Sequence, residues 1–180
     1  MERCHWVDLK DGDYVRYHDT EWGRPVHEEN ALFEALILEC FQAGLSFQCI
    51  LKKRAAFRKA FDNFDVQKVV KYPPQKELAL LQNKGIVRHK LKIKAVLQNA
   101  KVFCEIQKEF GSFDKYIWGF TEAKTLLCDG FQGKNDLSDF ISKDLKKRGM
   151  KFVGSVTVFS FLCAIGVFSA HQPSCFLYKK

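Results

Sequence analysis

The segment Lys-Gly-Ile-Val-Arg-His-Lys-Leu-Lys, residues 84–92, is the most informative part of the chain for the fold. It lies between two helical patterns of apolar residues, a short one around Leu78 and Leu81 and a longer one that starts near Ile93. The glycine favours a turn between them, and no acidic residue occurs between Glu77 and Glu105. The sequence therefore predicts two helices joined by a short and strongly cationic turn.

Such an arrangement resembles a helix–hairpin–helix, in which backbone N–H groups and the start of the second helix hold a DNA phosphate without reading the base sequence. The alternative is a solvated cationic loop on an ordinary helical hairpin, and the residues alone leave both interpretations open. The candidate DNA contacts of the hairpin are Gly85, Ile86, Arg88, Lys90 and Lys92.

Helical periodicity extends over most of the chain, as in the spacing of Leu32, Phe33, Leu36 and Ile37, with Asn30 available as a cap. Because strictly alternating runs are scarce, the predicted fold class is all-α. The 180 residues suit a single domain, and a hydrophobic content of 47% excludes wholesale disorder. The formal net charge of +8 favours an anionic partner, either nucleic acid or an acidic membrane surface.

The cysteines and the apolar run near the end bear on location. An odd number of cysteines, seven, and a start without a signal-peptide pattern favour a reducing cytoplasm. The run from Phe152 to Ala170 carries no charge and follows Lys146, Lys147 and Arg148, which is compatible with a membrane anchor. Interspersed Gly, Ser and Thr residues make a buried helix the preferred interpretation.

Cys4 and His18 near the start, with His171 and Cys175 near the end, could form a closed tetrahedral set suited to structural zinc. The alternative is a pair of surface histidines and a thiol in the C-terminal tail, because nothing local links the two halves. His5 and His27 are competing ligands in this hypothesis.

Aromatic residues are unusually dense near the N-terminus, and flat rings can hold an extruded base. Core packing is the alternative for them, and the residues concerned are Trp6, Tyr14, Tyr17, Trp22 and Phe47. Glu39 lies seven residues after Leu32, so its carboxylate borders the apolar face of the same helix. A functional role is favoured for Glu39, although a partner such as Lys53 or Arg54 would make it structural.

Several blocks together resemble the 3-methyladenine DNA glycosylase I family, from the first residue to near the last. The blocks are Met-Glu-Arg-Cys-His-Trp (1–6), Tyr-His-Asp-Thr-Glu-Trp-Gly-Arg-Pro (17–25), Leu-Phe-Glu (32–34), Leu-Glu (38–39), Gln-Ala-Gly-Leu-Ser (42–46), Leu-Lys-Lys-Arg (51–54), Gly-Ile-Val-Arg-His (85–89) and Leu-Lys-Lys-Arg-Gly-Met-Lys-Phe-Val-Gly (145–154). Their combination is far more specific than any single block.

The resemblance implies the helix-hairpin-helix DNA glycosylase fold in one domain, residues 1–180. One lobe would hold the hairpin, roughly residues 25–115, and the other both termini, roughly 1–24 and 116–180. It also implies a cytoplasmic, monomeric enzyme that hydrolyses the N-glycosidic bond of 3-methyladenine in alkylated double-stranded DNA and leaves an abasic site.

The resemblance further implies roles for individual residues. A zinc ion at the proposed Cys4, His18, His171 and Cys175 set would join the two ends of the chain. Glu39, as the catalytic residue, and Tyr17 would hydrogen-bond the base, with Trp6 and Phe47 stacking on it. Gly44 and Leu45 would enter the DNA at the lesion, and the hairpin around Gly85 would hold the backbone.

Three positions depart from the family pattern. Phe47 stands where Trp is usual, Phe41 where a small residue is usual, and Leu91 where the hairpin often has Gly. If that last position required a positive φ, leucine would be strained there. These departures leave open the alternative of a catalytically weakened reader of alkylated or abasic DNA. No aspartate that would activate water can be matched; Asp114 is a weak candidate.

Overall fold

Helices dominate the computed structural model, which describes residues 1–128 and 132–178. The elements are α1 (Gly12–Thr20), α2 (Glu29–Gln42), α3 (Phe47–Lys52), α4 (Arg54–Ala60), a 3₁₀ turn (Asp62–Phe64), α5 (Val66–Val69), α6 (Pro74–Gln82), α7 (Lys90–Phe110), α8 (Phe113–Gly119), β1 (Leu126–Leu127), α9 (Asp136–Lys147), α10 (Ser155–Ala164) and β2 (Phe168–Ser169). The all-α prediction is therefore confirmed, and the two short strands, which pair in parallel, are a minor addition.

The longest helix, α7, has clear signals at both ends. The His89 side chain caps its first turn by accepting from the N–H of Lys92, and Gly111, at a φ of 86°, ends it in the left-handed conformation. Along one face of α7, Ile93, Val96 and Phe103 are fully buried or nearly so. This face joins α7 to α2, α5, α6 and α8 around the core.

The helix that carries Glu39, α2, begins two residues earlier than a cap at Asn30 would place it. Glu28 is its cap, with the carboxylate accepting from the N–H groups of Asn30 and Ala31. Asn30 was therefore the wrong choice of cap, because it lies inside the first turn and its own N–H is one of the groups that the Glu28 carboxylate binds. The helix is buried over most of its circumference, so it forms the centre of the molecule.

The predicted hairpin is present between α6 and α7. Gly85 packs so tightly that a Cβ there would lie 3.0 Å from the Cβ of Ala56, which explains the absence of a side chain. Leu91, at 62% exposure, lies inside the first turn of α7 with helical geometry. The concern that leucine is strained at this position is therefore wrong.

The apolar run near the C-terminus is not one long helix. Only Ser155–Ala164 is helical, and the chain turns at Gly166 before β2. Within the described residues, no helix combines the length and the apolar character needed to cross a membrane.

Candidate active site

A cavity of about 410 Å³ opens between the N-terminal segment, α2 and α10. This volume falls within the roughly 300–1,000 Å³ typical of small-molecule sites. Described residues that line it are His5, Trp6, Tyr14, Tyr17, Trp22, Glu39, Gln42, Phe47, Gly133, Phe159, Ser160, Cys163, Ala170 and Gln172. The structure thus brings together Glu39 and all five aromatic residues singled out in the sequence.

The aromatic rings contact one another along the wall of the cavity. The Trp6 ring lies 5.2 Å from Tyr14 and 5.0 Å from Trp22, measured between centroids. On the other side, the rings of Tyr17 and Phe47 are 4.9 Å apart. Phe47 opens α3, where the Ser46 side chain caps the helix by accepting from the N–H of Cys49. This packing holds flat apolar faces in place around the opening.

Glu39 is the one carboxylate among the described residues of the cavity wall. Its side chain is 6% exposed, and among the described residues nothing hydrogen-bonds its Oε2 atom. Burial raises the pKa of Glu39 to about 8, since the charged form loses its hydration. A buried acceptor without a partner is costly, so this atom is available for a ligand that donates a hydrogen bond.

The structure also answers whether Arg54 neutralises Glu39. The Arg54 side chain donates instead to Glu34, at 2.5 Å from Nε to Oε1, and to Glu21. Arg58 donates to Glu34 as well, at 2.9 Å. Both cations are therefore bound by other carboxylates. Arg54 does not form the ion pair that would give Glu39 a purely structural role.

Beside the cavity, Cys4, His18, His171 and Cys175 form a buried cluster. Their candidate ligand atoms all lie within 4.8 Å of one another. The Sγ atom of Cys4 is 3.5 Å from Nδ1 of His171, and the Sγ atom of Cys175 is 3.5 Å from Nε2 of His18. Zinc bonds of roughly 2.0–2.3 Å place tetrahedral ligand atoms roughly 3.3–3.8 Å apart, so the cluster could hold a metal ion of this size.

The surroundings of His18 also suit a metal ligand. Its Nδ1 atom lies 2.8 Å from Oδ1 of Asp19, which leaves Nε2 directed towards Cys175. Asp19 is in turn bound by Arg3, whose hydrogen bonds hold the pKa of this carboxyl to about 2. A carboxylate that orients the imidazole in this way is typical of metal-binding histidines.

The two competing histidines lie elsewhere. His27 contacts Asp114 at 2.8 Å through Nδ1. His5 lines the cavity next to Gln172 but is outside the cluster. Asp114 is not among the described residues of the cavity wall.

The family model for methyladenine glycosylases matches residues 6–178. The chain belongs to the methyladenine glycosylase family. DNA-3-methyladenine glycosylase 1 of Escherichia coli is 40% identical over 185 residues, covering 99% of this chain and 97% of that protein. DNA-3-methyladenine glycosylase of Haemophilus influenzae is 38% identical over 178 residues, covering 96% of both chains.

Solved structures of methyladenine glycosylases agree with this membership. 3-Methyladenine DNA glycosylase I of Staphylococcus aureus is 38% identical and has a TM-score of 0.91, with 96% of this chain and 94% of that one covered. A variant of 3-methyladenine DNA glycosylase I in complex with 3-methyladenine is 37% identical, covers 100% of this chain and 99% of that one, and gives a TM-score of 0.94.

Two of the three departures from the family pattern lie away from the described cavity wall. Phe41 is fully buried and contacts the ring of Phe57 at 4.7 Å between centroids, so it fills the core and not the cavity. Leu91 is helical and unstrained, as described above. Of the three, only Phe47 lies on the cavity wall.

The segment predicted to enter DNA follows the end of α2. Gly44 has a φ of 80° with open space around it, and Leu45 is 42% exposed. A side chain other than glycine would be strained at residue 44, which explains the sequence there. These two residues form an exposed loop, as an inserting segment requires.

The hairpin differs in part from the prediction. Arg88 and Lys90 are exposed cations, as expected. The N–H groups of Gly85 and Ile86, by contrast, donate to the side chain and the carbonyl of Asn83, and the Ile86 side chain is buried. Gly85 and Ile86 therefore shape the turn and do not offer these amides to phosphate.

Lys92 is the clearest correction among the predicted DNA contacts. Its side chain is 6% exposed, and the ammonium donates to the carbonyls of Phe41 and Ala43. The structure therefore turns this cation inward and does not present it to a DNA backbone, which a run of cations in the sequence does not reveal. Nothing in the sequence indicated Ser160 and Cys163 on the cavity wall, because no local motif marks them; Gln42, within the Gln-Ala-Gly-Leu-Ser block, also lies on the wall although no role was predicted for it.

Proposed function

We propose that this protein is a DNA repair glycosylase that takes 3-methyladenine, flipped out of alkylated double-stranded DNA, into the cavity and hydrolyses its N-glycosidic bond. An abasic site would remain in the DNA. The observation that carries the proposal is the unpartnered, buried carboxyl of Glu39 within an aromatic cavity. Family membership supports the same reaction and substrate.

Glu39 would act on charge in the base. Methylation at N3 makes adenine cationic in the nucleotide, which weakens its bond to the sugar. A carboxylate that accepts from the exocyclic amine stabilises such a base, and a hydrogen bond to an ionised acceptor contributes about 1.5–3 kcal/mol. Because the cation itself favours ionisation of Glu39, substrate binding would lower the raised pKa of this group.

The aromatic residues would receive the flipped base. Extrusion costs a few kcal/mol, which stacking on the rings of Trp6 and Phe47 offsets. Tyr17 lies beside Phe47 on the cavity wall and is buried. Its hydroxyl would assist Glu39 in orienting the base. Tyr14 and Trp22 pack against the ring of Trp6 and also line the cavity.

Water would attack C1′ of the sugar once the base departs. No lysine belongs to the described wall of the cavity, which supports plain hydrolysis over a Schiff-base reaction with strand cleavage.

Around the site, Gly44 and Leu45 would fill the gap left by the flipped base. Arg88 and Lys90 would bind the phosphate backbone, and the cationic charge would strengthen that binding at low salt.

Zinc is the metal that we propose for the cluster of two cysteines and two histidines, because a thiolate–imidazole set with this spacing matches its bonding. All four positions would be taken by protein, so the ion would be structural. It would tie the N-terminal segment, which carries Trp6, to the segment before the C-terminus.

We also propose a single domain of two lobes, with the bounds given above. Among the described residues, one large hydrophobic core extends from Leu32 to Ala170, which supports a single domain. A monomer is also proposed, as the resemblance to the family implies. The cytoplasm is the proposed location, since repair of chromosomal DNA takes place there in bacteria such as those of the relatives.

The experiment that tests the proposed reaction is incubation with dimethyl-sulfate-treated duplex DNA, followed by chromatography of the released bases. We expect free 3-methyladenine together with alkali-labile abasic sites, and no strand breaks before alkali treatment. Salt-dependent binding of the same DNA without any released base would contradict hydrolysis and favour the reader.

A further inference from the structure

The buried ammonium of Lys92 binds the end of α2. Its Nζ atom lies 2.7 Å from the carbonyl oxygen of Phe41 and 2.6 Å from that of Ala43. The last carbonyls of a helix have no partner within the helix and carry partial negative charge, so a cation at this end is favourable. Lys92 thereby fixes the point at which the chain leaves α2 for the exposed loop of Gly44 and Leu45.

The other side of Lys92 belongs to the hairpin. It is the third residue of α7, and its backbone N–H donates to Nδ1 of the cap residue His89 at 3.3 Å. One residue is thus bonded through its backbone to the turn that presents Arg88 and Lys90. Through its side chain, Lys92 is also bonded to the end of α2, the helix that carries Glu39 and leads into the exposed loop.

We propose that Lys92 is a positioning residue, which holds the loop of Gly44 and Leu45 in register with the hairpin so that backbone binding and filling of the DNA gap occur together. This rests on the proposed function, since it assigns those two surfaces to DNA. Without the ammonium, Phe41 and Ala43 would lose their partner, and the loop could shift while the hairpin still bound phosphate. A shift of about 1 Å at such a point lowers rates by up to a hundredfold.

The test uses the full-length protein with Lys92→Met, and Lys94→Met as the matched control. Lys94 is exposed on the same helix, so its replacement removes an equal charge without breaking the contact with α2. Three quantities are measured: the single-turnover rate of 3-methyladenine release, the affinity for free 3-methyladenine, and the salt dependence of binding to duplex DNA.

For Lys92→Met we expect base release about tenfold or more slower than for Lys94→Met. The affinity for free 3-methyladenine should stay within about twofold, because the cavity does not contain Lys92. The slope of log affinity against log salt should equal that of the parent. A slope smaller by about 1 would make Lys92 a phosphate contact and overturn the proposal, as would a release rate equal to that of Lys94→Met.

Lys92→Arg covers the case in which the methionine variant does not fold. This variant keeps the charge. If Lys92 binds a DNA phosphate, Lys92→Arg should therefore release the base at the parental rate. A positioning role predicts slower release with unchanged affinity for the free base, because a planar guanidinium does not reproduce the 2.7 Å and 2.6 Å contacts that the compact ammonium makes with the two carbonyls. Parental release would then overturn the proposal. Failure of the parent itself to release base would refute the proposed function, which is a distinguishable result.

Discussion

Replacing Glu39 by Gln is expected to stabilise the protein at alkaline pH, although it impairs the proposed function. The carboxyl is buried, and the amide that replaces it has nearly the same shape but no charge. Burial raises the pKa of Glu39 from an ordinary value of 4.5 to about 8. The unfolded chain therefore ionises this group at a lower pH than the folded protein does.

The sign and size of the effect follow from this difference. Below pH 4.5 both states are protonated, and Glu39 does not affect the free energy of unfolding through its charge. As the pH rises towards 8, the unfolded state gains from ionisation that the folded state resists. At 1.36 kcal/mol for each pKa unit, the folded parent loses roughly 4 kcal/mol between pH 5 and pH 9 through this group.

Urea unfolding at pH 5 and pH 9 measures the prediction directly. The stability of Glu39→Gln relative to the parent should rise by roughly 4 kcal/mol over this interval, which corresponds to about 8–16 °C in Tm for a chain of this size. Glu105→Gln is the matched control, because Glu105 is exposed and its replacement should give the same difference at both pH values. A difference for Glu39→Gln that does not change with pH would refute the claim that this carboxyl is buried without a compensating partner.

Three further predictions concern other parts of the molecule. Phe47→Trp should tighten the binding of free 3-methyladenine about fivefold through greater stacking area, as measured by tryptophan fluorescence; weaker binding would mean that the wall lacks room. Treatment with a chelator should lower the Tm and release one zinc per chain, and Cys4→Ser should lower the Tm in the same way; a parental Tm after metal removal would contradict a structural ion. Gly166→Ala should destabilise the protein by about 2 kcal/mol or more, because φ is 76° there and a Cβ would lie 2.4 Å from the backbone carbon of Arg24; a change below about 0.5 kcal/mol in urea unfolding would contradict this reasoning.

The helices and the hairpin could be predicted from the sequence because their signals are local. Apolar residues at helical spacing marked α2 and α7, and a glycine within a cationic run marked the turn between α6 and α7. The exact cap of α2 was missed, since asparagine is a preferred cap and glutamate is not, so local preference favoured Asn30 over Glu28. Only the three-dimensional path of the chain decides which side chain reaches the free N–H groups.

The candidate site needed information that no local pattern contains. Cys4 and His171 come together because the two ends of the chain meet, and the resemblance to the family, not the spacing, indicated this. Lys92 and Lys90 are two residues apart, so on a helix they point in different directions. The sequence marked both as cations for DNA, whereas the packing against α2 buries Lys92.

Glu39 is proposed to stabilise the departing methylated base, and the rate of base release by Glu39→Gln is the measurement that bears on this role without an intermediate step. Single-turnover release of 3-methyladenine from one preparation of methylated duplex is compared for the parent, Glu39→Gln and Glu105→Gln. Loss of a hydrogen bond to an ionised carboxylate predicts a rate about ten- to a hundredfold lower for Glu39→Gln, with Glu105→Gln at the parental rate. A folded Glu39→Gln protein that releases the base as fast as the parent would contradict the claim.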